Sequence, residues 1–222
     1  SAGSMTRIEG QHLYSLYSYR WGGLDPQTGD PIGFIEGEPS KNYSSITGAG
    51  AQMEDLVNHG SAVPLFYGSL GNTFSYKNIG VTVRMLFKLD YYVRNEGISY
   101  GSLGDIVGHA EYAKRWRQPG DELITNVPSM VYPNPGGRDN FYNQSEIRVI
   151  RGDHIRLQYL SFYYDLINRD TRLLPFRSFR LYASISNLGL LWRASRVGVD
   201  PEYGMEGLPP ATTYSFGLRF SL

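Results

Sequence analysis

Cysteine is missing from all 222 residues, which removes a disulfide scaffold, a thiolate metal site and a cysteine nucleophile together. Net charge is missing too: 21 basic residues balance 21 acidic ones, and no basic block offers a footprint for nucleic acid. No apolar run approaches the roughly 18 residues of a membrane-crossing helix. Histidine is scarce. His12, His59, His109 and His154 fall in different segments without metal-ligand spacing or an H-E-x-x-H motif, so solvated or hydrogen-bonded roles are expected and no metal. No G-x-S-x-G elbow singles out a serine, neither Gly22-Gly23 nor Gly136-Gly137 precedes a strand-to-helix phosphate motif, and no carboxylate pair stands out for glycoside hydrolysis. Neither enzymatic activity nor a cofactor is expected. Asp25 and Asp30 share a turn-rich loop, where shaping turns is expected ahead of holding calcium.

What the chain has in excess is aromatic: 18 Tyr, 10 Phe and 3 Trp make up 14% of it, beside 26 Gly. Tyr and Trp suit a water-to-lipid boundary, having an apolar body and a polar handle, and they also suit sugar-binding surfaces. A mean hydropathy of −0.34 is compatible with a membrane barrel, in which only alternate strand residues meet lipid. The N-terminal stretch Ser1 to Met5 has neither a basic n-region nor an apolar h-region and does not read as a signal peptide.

The clearest pattern lies in Thr212 to Leu222. Tyr214, Phe216, Leu218, Phe220 and Leu222 fall on one face of an extended strand, and Thr213, Ser215, Gly217, Arg219 and Ser221 on the other. Its length matches the roughly 9 to 11 residues of a tilted barrel strand, and an apolar terminal strand resembles the C-terminal strand of bacterial outer-membrane barrels. Gln11 to Trp21 reads as a first strand, followed by a polar, glycine-rich loop to about Val63. Pro64 to Tyr76 alternates again, Lys77-Asn78-Ile79-Gly80 reverses the chain, and Val81, Val83, Met85, Phe87 and Leu89 line one face of the returning strand. A long connection from about Arg94 to Asp153 follows, in which Asp105 to Arg117 has helical spacing. His154 to Leu166 is a strand whose parity slips, and a bulge near Gln158 to Leu160 reconciles its two halves. After a short connection through Asn168-Arg169-Asp170 and Pro175, the strand Phe179 to Ser186 leads by Asn187-Leu188 and Trp192 into a last loop.

Connections thus run long, short, long, short, long, and all agree with one orientation: short turns on the periplasmic side and long loops outside. The expected fold is all-β, about six long strands of an antiparallel transmembrane β-barrel segment with long extracellular loops and a short loop helix. The rival is a secreted β-sandwich that binds carbohydrate through loop aromatics, which has no reason to segregate its long loops.

Several segments in this order resemble the C-terminal part of SusC/RagA-type TonB-dependent outer-membrane transporters. They are Tyr19-Arg20-Trp21-Gly22-Gly23-Leu24-Asp25-Pro26-Gln27-Thr28-Gly29-Asp30-Pro31, Pro64 through Asn78, Arg115-Trp116-Arg117-Gln118-Pro119-Gly120-Asp121, His154-Ile155-Arg156-Leu157, Leu181 through Leu188, Asp200-Pro201-Glu202 and the final strand. The resemblance implies the end of a plugged barrel of about 22 strands that imports oligosaccharides or peptides under a lid of the SusD type. It covers residues 1–222 as barrel wall and vestibule loops. The plug domain, the TonB-contacting segment and the earlier strands then belong to the same precursor or to a separate chain. Outer-membrane lipid is the expected surrounding of Tyr214, Phe216, Leu218, Phe220 and Leu222. Trp21, Tyr43, Tyr100, Trp116, Tyr132, Trp192 and Tyr203 are the loop aromatics expected to contact ligand or lid, where they are not interface girdle residues.

Overall fold

The computed structural model describes residues 10, 13–48, 52–101, 109–166, 178–204 and 207–221. In chain order the strands are β1 (Ser15–Tyr19), β2 (Gly33–Ile35), β3 (Glu38–Ser40), β4 (Leu56–Ser61), β5 (Phe66–Tyr76), β6 (Ile79–Leu89), β7 (Tyr92–Arg94), β8 (Val149–Arg151), β9 (His154–Leu166), β10 (Ser178–Arg193) and β11 (Thr213–Ser221). Among the described residues two short α-helices, Tyr43–Thr47 and Arg138–Gln144, interrupt them. The chain divides into two units, one holding residues up to Val63 with Tyr91–Arg151, the other Pro64–Asp90 with Gly152–Leu222.

The second unit is a five-stranded sheet in the order β11-β10-β9-β6-β5, every pair antiparallel. Each strand lies beside its sequence neighbour among these five, so the sheet is a meander. Lys77 and Asn78 alone link β5 to β6, because Tyr76 pairs with Ile79 and Lys77 takes the left-handed conformation (φ 52°) that a two-residue hairpin turn requires. The slip in β9 resolves as expected: Arg84 pairs with Tyr159 and Met85 with Leu157, leaving Gln158 as the extra residue. That one residue brings Ile155 and Leu157 onto the same face as Leu160, Phe162 and Tyr164.

Three expectations are corrected. The sheet has five strands, not about six, because β1 pairs with β4 in a separate two-stranded sheet. Ser15, Tyr17, Ser18 and Tyr19 are all buried, so this segment is wrapped on both faces and has no lipid side. Next, β10 runs on through Trp192 to Arg193; Asn187-Leu188 is an irregularity within it, where Ser186 pairs with Tyr159 and Gly189 with Leu157. Asn187 and Gly189 supply the positive φ values, 59° and 102°, that absorb the offset. Of the helix expected over Asp105 to Arg117, only a 3-10 segment, Ala110–Lys114, is found in the described part. The connection through Asn168 to Pro175 lies outside the described residues.

The first unit is built from the two longest connections. They are not loose loops: each contributes to a shared aromatic interior. Tyr19, Tyr43, Ile46 and Phe141 form one cluster, Ile98, Tyr100, Val127 and Tyr142 another, and Trp21 packs against both. A β-carbon on Gly33 would lie 2.7 Å from the Phe141 ring, so glycine there is what lets β2 approach the helix Arg138–Gln144.

Candidate functional site: two faces of a sheet and a loop unit

Register fixes which side chains share a face, and in the five-stranded sheet it sorts them almost completely. One rung holds Leu218, Leu181, Tyr164, Ile79 and Tyr76; the next holds Phe216, Ala183, Phe162, Val81 and Phe74. Tyr214, Ile185, Leu160 and Val83 follow, with Asn72 as the one polar side chain on that rung, then Leu157, Met85 and Leu70, then Trp192, Ile155 and Phe87. This face is uncovered. Phe216 is 82% exposed, Tyr214 65%, Leu218 61% and Phe220 57%, values foreign to residues facing a second packed sheet.

The opposite face is polar. Its middle rung is Ser215, Ser184, Ser161, Thr82 and Thr73, and the two threonine hydroxyls hydrogen-bond at 2.9 Å. On the rung below, Tyr163 and Tyr182 lie across glycines: a β-carbon on Gly80 would meet the Tyr163 ring at 2.0 Å, and one on Gly217 the Tyr182 ring at 2.2 Å. The glycines hold those rings flat on the sheet, as aromatic side chains commonly cover strand glycines. Arg180 forms a two-point pair with Asp165 (2.6 and 2.8 Å) and lies 4.0 Å over Tyr163.

At the other end of this polar face the β10–β11 connection folds back. Arg156 holds Asp200 through Nη2 (2.6 Å) and Glu202 through Nε (3.1 Å), and Lys88 holds Glu202 at 2.5 Å. Burial works to raise the Glu202 carboxyl, but the hydrogen bond from Lys88 and the charges of Lys88 and Arg156 outweigh it and keep it below the usual range. Arg156 also faces the Tyr203 ring. His154-Ile155-Arg156-Leu157 and Asp200-Pro201-Glu202 are both visible as segments in the sequence; their pairing is not, since 44 residues separate Arg156 from Asp200.

The loop unit is held by charge as well as by rings. Arg138 is fully buried and donates to Asp30 (2.9 Å) and to the Ser129 carbonyl and hydroxyl (2.9 and 3.0 Å). Asp25 accepts from Lys41 at 2.8 Å and from the Gln27 and Thr28 amides, and the Lys41 bond above all draws its pKa down to about 2. The oxygens of Asp25 and Asp30 are therefore engaged in closing the turn. His59 shares a 2.7 Å hydrogen bond with the Ser18 hydroxyl, and burial lowers its pKa.

The seven aromatic candidates scatter. Tyr43 (5% exposed), Tyr100 (5%) and Trp116 (8%) lie inside the loop unit. There the tyrosine hydroxyls donate to the Pro31 and Pro128 carbonyls at 2.9 and 2.8 Å. Burial pushes the Tyr100 hydroxyl up to about 12 and the Tyr43 hydroxyl higher still. In this structure the three are packing residues, not surface aromatics. Trp21 is half-buried between Phe141 and Tyr142. Tyr132 is 87% exposed and Trp192 47%, Trp192 on the apolar face of the sheet; Tyr203 is half-buried beneath Arg156. Leu222 lies outside the described residues.

No protein-family model matches the chain, and no curated protein matches it. Solved structures do. The structure of the RagAB peptide transporter overlays on 93% of this chain and 22% of its own with a TM-score of 0.66 at 18% identity. The RagAB peptide importer in the open-open state gives 0.63 at 17% over 94% and 22%, and in the closed-closed state 0.65 at 17% over 93% and 23%. The chain thus spans under a quarter of the length of the chains it resembles, and it shares the fold of that part of them.

Proposed function

We propose that this chain forms barrel wall and outer vestibule in the C-terminal part of an outer-membrane, TonB-dependent importer of peptides or oligosaccharides. The observation that carries the reading is the two-faced sheet, with an uncovered apolar face five strands wide opposite a polar one. That pairing of faces is what a wall between hydrocarbon and a wet lumen needs. Among the described residues, the outer edges of β5 and β11 carry backbone groups with no strand partner in this sheet; in hydrocarbon such edges must be paired, so the remaining strands of a larger barrel close on them. The connection between β5 and β6 is two residues, whereas those between β6 and β9 and between β10 and β11 are long, as expected for periplasmic turns and extracellular loops.

Peptide is the favoured cargo, on the strength of the peptide transport that the RagAB structures are named for. The mechanism makes and breaks no bonds in this chain: the sheet holds the lumen, and the loop unit contributes to the vestibule that receives cargo. A plug contacted by TonB supplies energy, and a surface lipoprotein of the SusD type acts as lid; both are partners outside this chain. The reading is tested by membrane fractionation. Recovery in the outer membrane, with extraction only by detergent, is expected; a monodisperse, detergent-free monomer would instead favour the sugar-binding sandwich.

A further inference from the structure

Residues 113–125 of the loop unit sort their charges in an unusual way. The two acids are taken up by local donors: Asp121 accepts from the Arg117 and Gln118 amides (2.9 and 3.2 Å), and Glu122 from the Trp116 indole and the Gly120 amide (3.1 and 2.8 Å). Lys114, Arg115 and Arg117 line an open cleft of about 550 Å³ together with Ala113, Gln118, Asp121, Ile124 and Thr125, so three cations face one acid there, and among the described residues none of the three has a carboxylate within ion-pair distance. Two of them are already positioned. Arg115 donates through Nη1 to the Tyr112 carbonyl (2.8 Å) while lying 4.0 Å over the Tyr112 ring, and Arg117 donates through Nη2 to the Ala113 carbonyl (3.1 Å).

Trp116 explains how such a cleft persists. Buried between its two arginines, it takes the space beside Gly29, where a β-carbon would come within 2.4 Å of the indole, and its backbone amide donates to the Val127 carbonyl at 2.9 Å. The alternation Arg-Trp-Arg therefore points the ring inward and both guanidiniums outward. A guanidinium held by one bond keeps its remaining N–H groups for a planar oxygen pair, and its prior ordering reduces the entropy lost on binding. Ile124, 85% exposed, adds an apolar wall.

We infer that this cleft binds the side-chain carboxylates of an acidic peptide, so that the importer favours anionic cargo. The inference rests on the peptide reading above. The three cations, Lys114 and Arg117 exposed and Arg115 half-buried, give together about a tenfold preference, ~1.4 kcal/mol.

The test uses the assembled transporter in detergent and a labelled Glu-rich peptide beside its Gln counterpart, with affinities read by fluorescence anisotropy. Wild type is expected to bind the Glu peptide about tenfold more tightly at low salt. A Lys114→Gln/Arg117→Gln variant, altering two exposed side chains, should lose most of that preference while holding the Gln peptide as before, and Lys114→Glu/Arg117→Glu should invert it. Equal binding of both peptides by wild type, or an undiminished preference in the variants, overturns the inference and leaves the peptide reading standing. Binding of neither peptide overturns both.

Discussion

Placing arginine at successive positions of β11 measures how deep each one lies in hydrocarbon. Same-face neighbours are ~6.8 Å apart along a strand, which a tilt of about 40° reduces to about 5 Å along the bilayer normal. Phe220 stands near one rim of the apolar face; Leu218 is one rung inward and Phe216 two, or about 10 Å, close to the middle of an apolar band about 25 Å tall. Arginine costs ~2–4 kcal/mol at the midplane and about 0–1 near the interface. Phe216→Arg is thus expected to be the worst, Leu218→Arg intermediate and Phe220→Arg mild. Ser215→Arg adds a charge to the serine and threonine rung of the other face and should cost little. The readout is equilibrium unfolding in guanidinium of the transporter reconstituted in phospholipid vesicles. A flat series, or a Ser215→Arg penalty equal to that of Phe216→Arg, would refute the assignment of faces.

Arg138→Ala removes a fully buried guanidinium with its bonds to Asp30 and to the Ser129 carbonyl and hydroxyl and should cost the loop unit about 3 kcal/mol, whereas Lys41→Ala, at a part-exposed pair, should cost under about 1; limited proteolysis of the loop unit ranks the two, and equal effects would contradict the network described. His59 is held below its ordinary pKa by burial, with Glu146 opposing and Arg94 reinforcing. The unfolded chain then takes up a proton first, so stability is full above about pH 6.5 and declines as pH falls toward the lower folded value. Hydrogen exchange in β1 and β4 should quicken from pH 8 to pH 5 beyond the intrinsic pH effect, and His59→Asn should remove the excess; no excess in wild type refutes it. Gly80→Ala and Tyr163→Ala should couple by about 1 kcal/mol in a double-mutant cycle, because the new methyl occupies the place of the ring; additive effects would show that the ring does not depend on the glycine.

The long strands were legible because register needs only parity: Phe66 to Leu89 keeps one pairing register around a two-residue turn, with Asn72 and Leu86 as exceptions to the alternation, and even the bulge at Gln158 is visible as a parity change. The loop unit was not, for a physical reason. Its order comes from contacts between distant segments, such as Tyr19 and Tyr43 with Phe141 or Asp30 with Arg138 across 108 residues, and turn-forming composition conceals them. The same blindness made β1 look like a wall strand, since alternation cannot tell a lipid face from a second buried one. It also put Tyr43, Tyr100 and Trp116 among the surface candidates, because ring type says nothing of which way a loop aromatic turns. The cations of the Arg115 to Arg117 segment were readable as charges, while the local donors that occupy Asp121 and Glu122 and the burial of the indole between the arginines were not.

The central claim, hydrocarbon on one face of the sheet and water on the other, can be tested residue by residue, with single cysteines introduced into this cysteine-free chain. Nitroxide labels placed in turn from Thr213 to Phe220, with the transporter in membranes, should report alternating accessibility. Oxygen, which partitions into lipid, should reach 214, 216, 218 and 220, and a water-soluble nickel chelate 213, 215, 217 and 219. Labels of both parities responding alike, or low oxygen access at 216 and 218 from burial against protein, would contradict it.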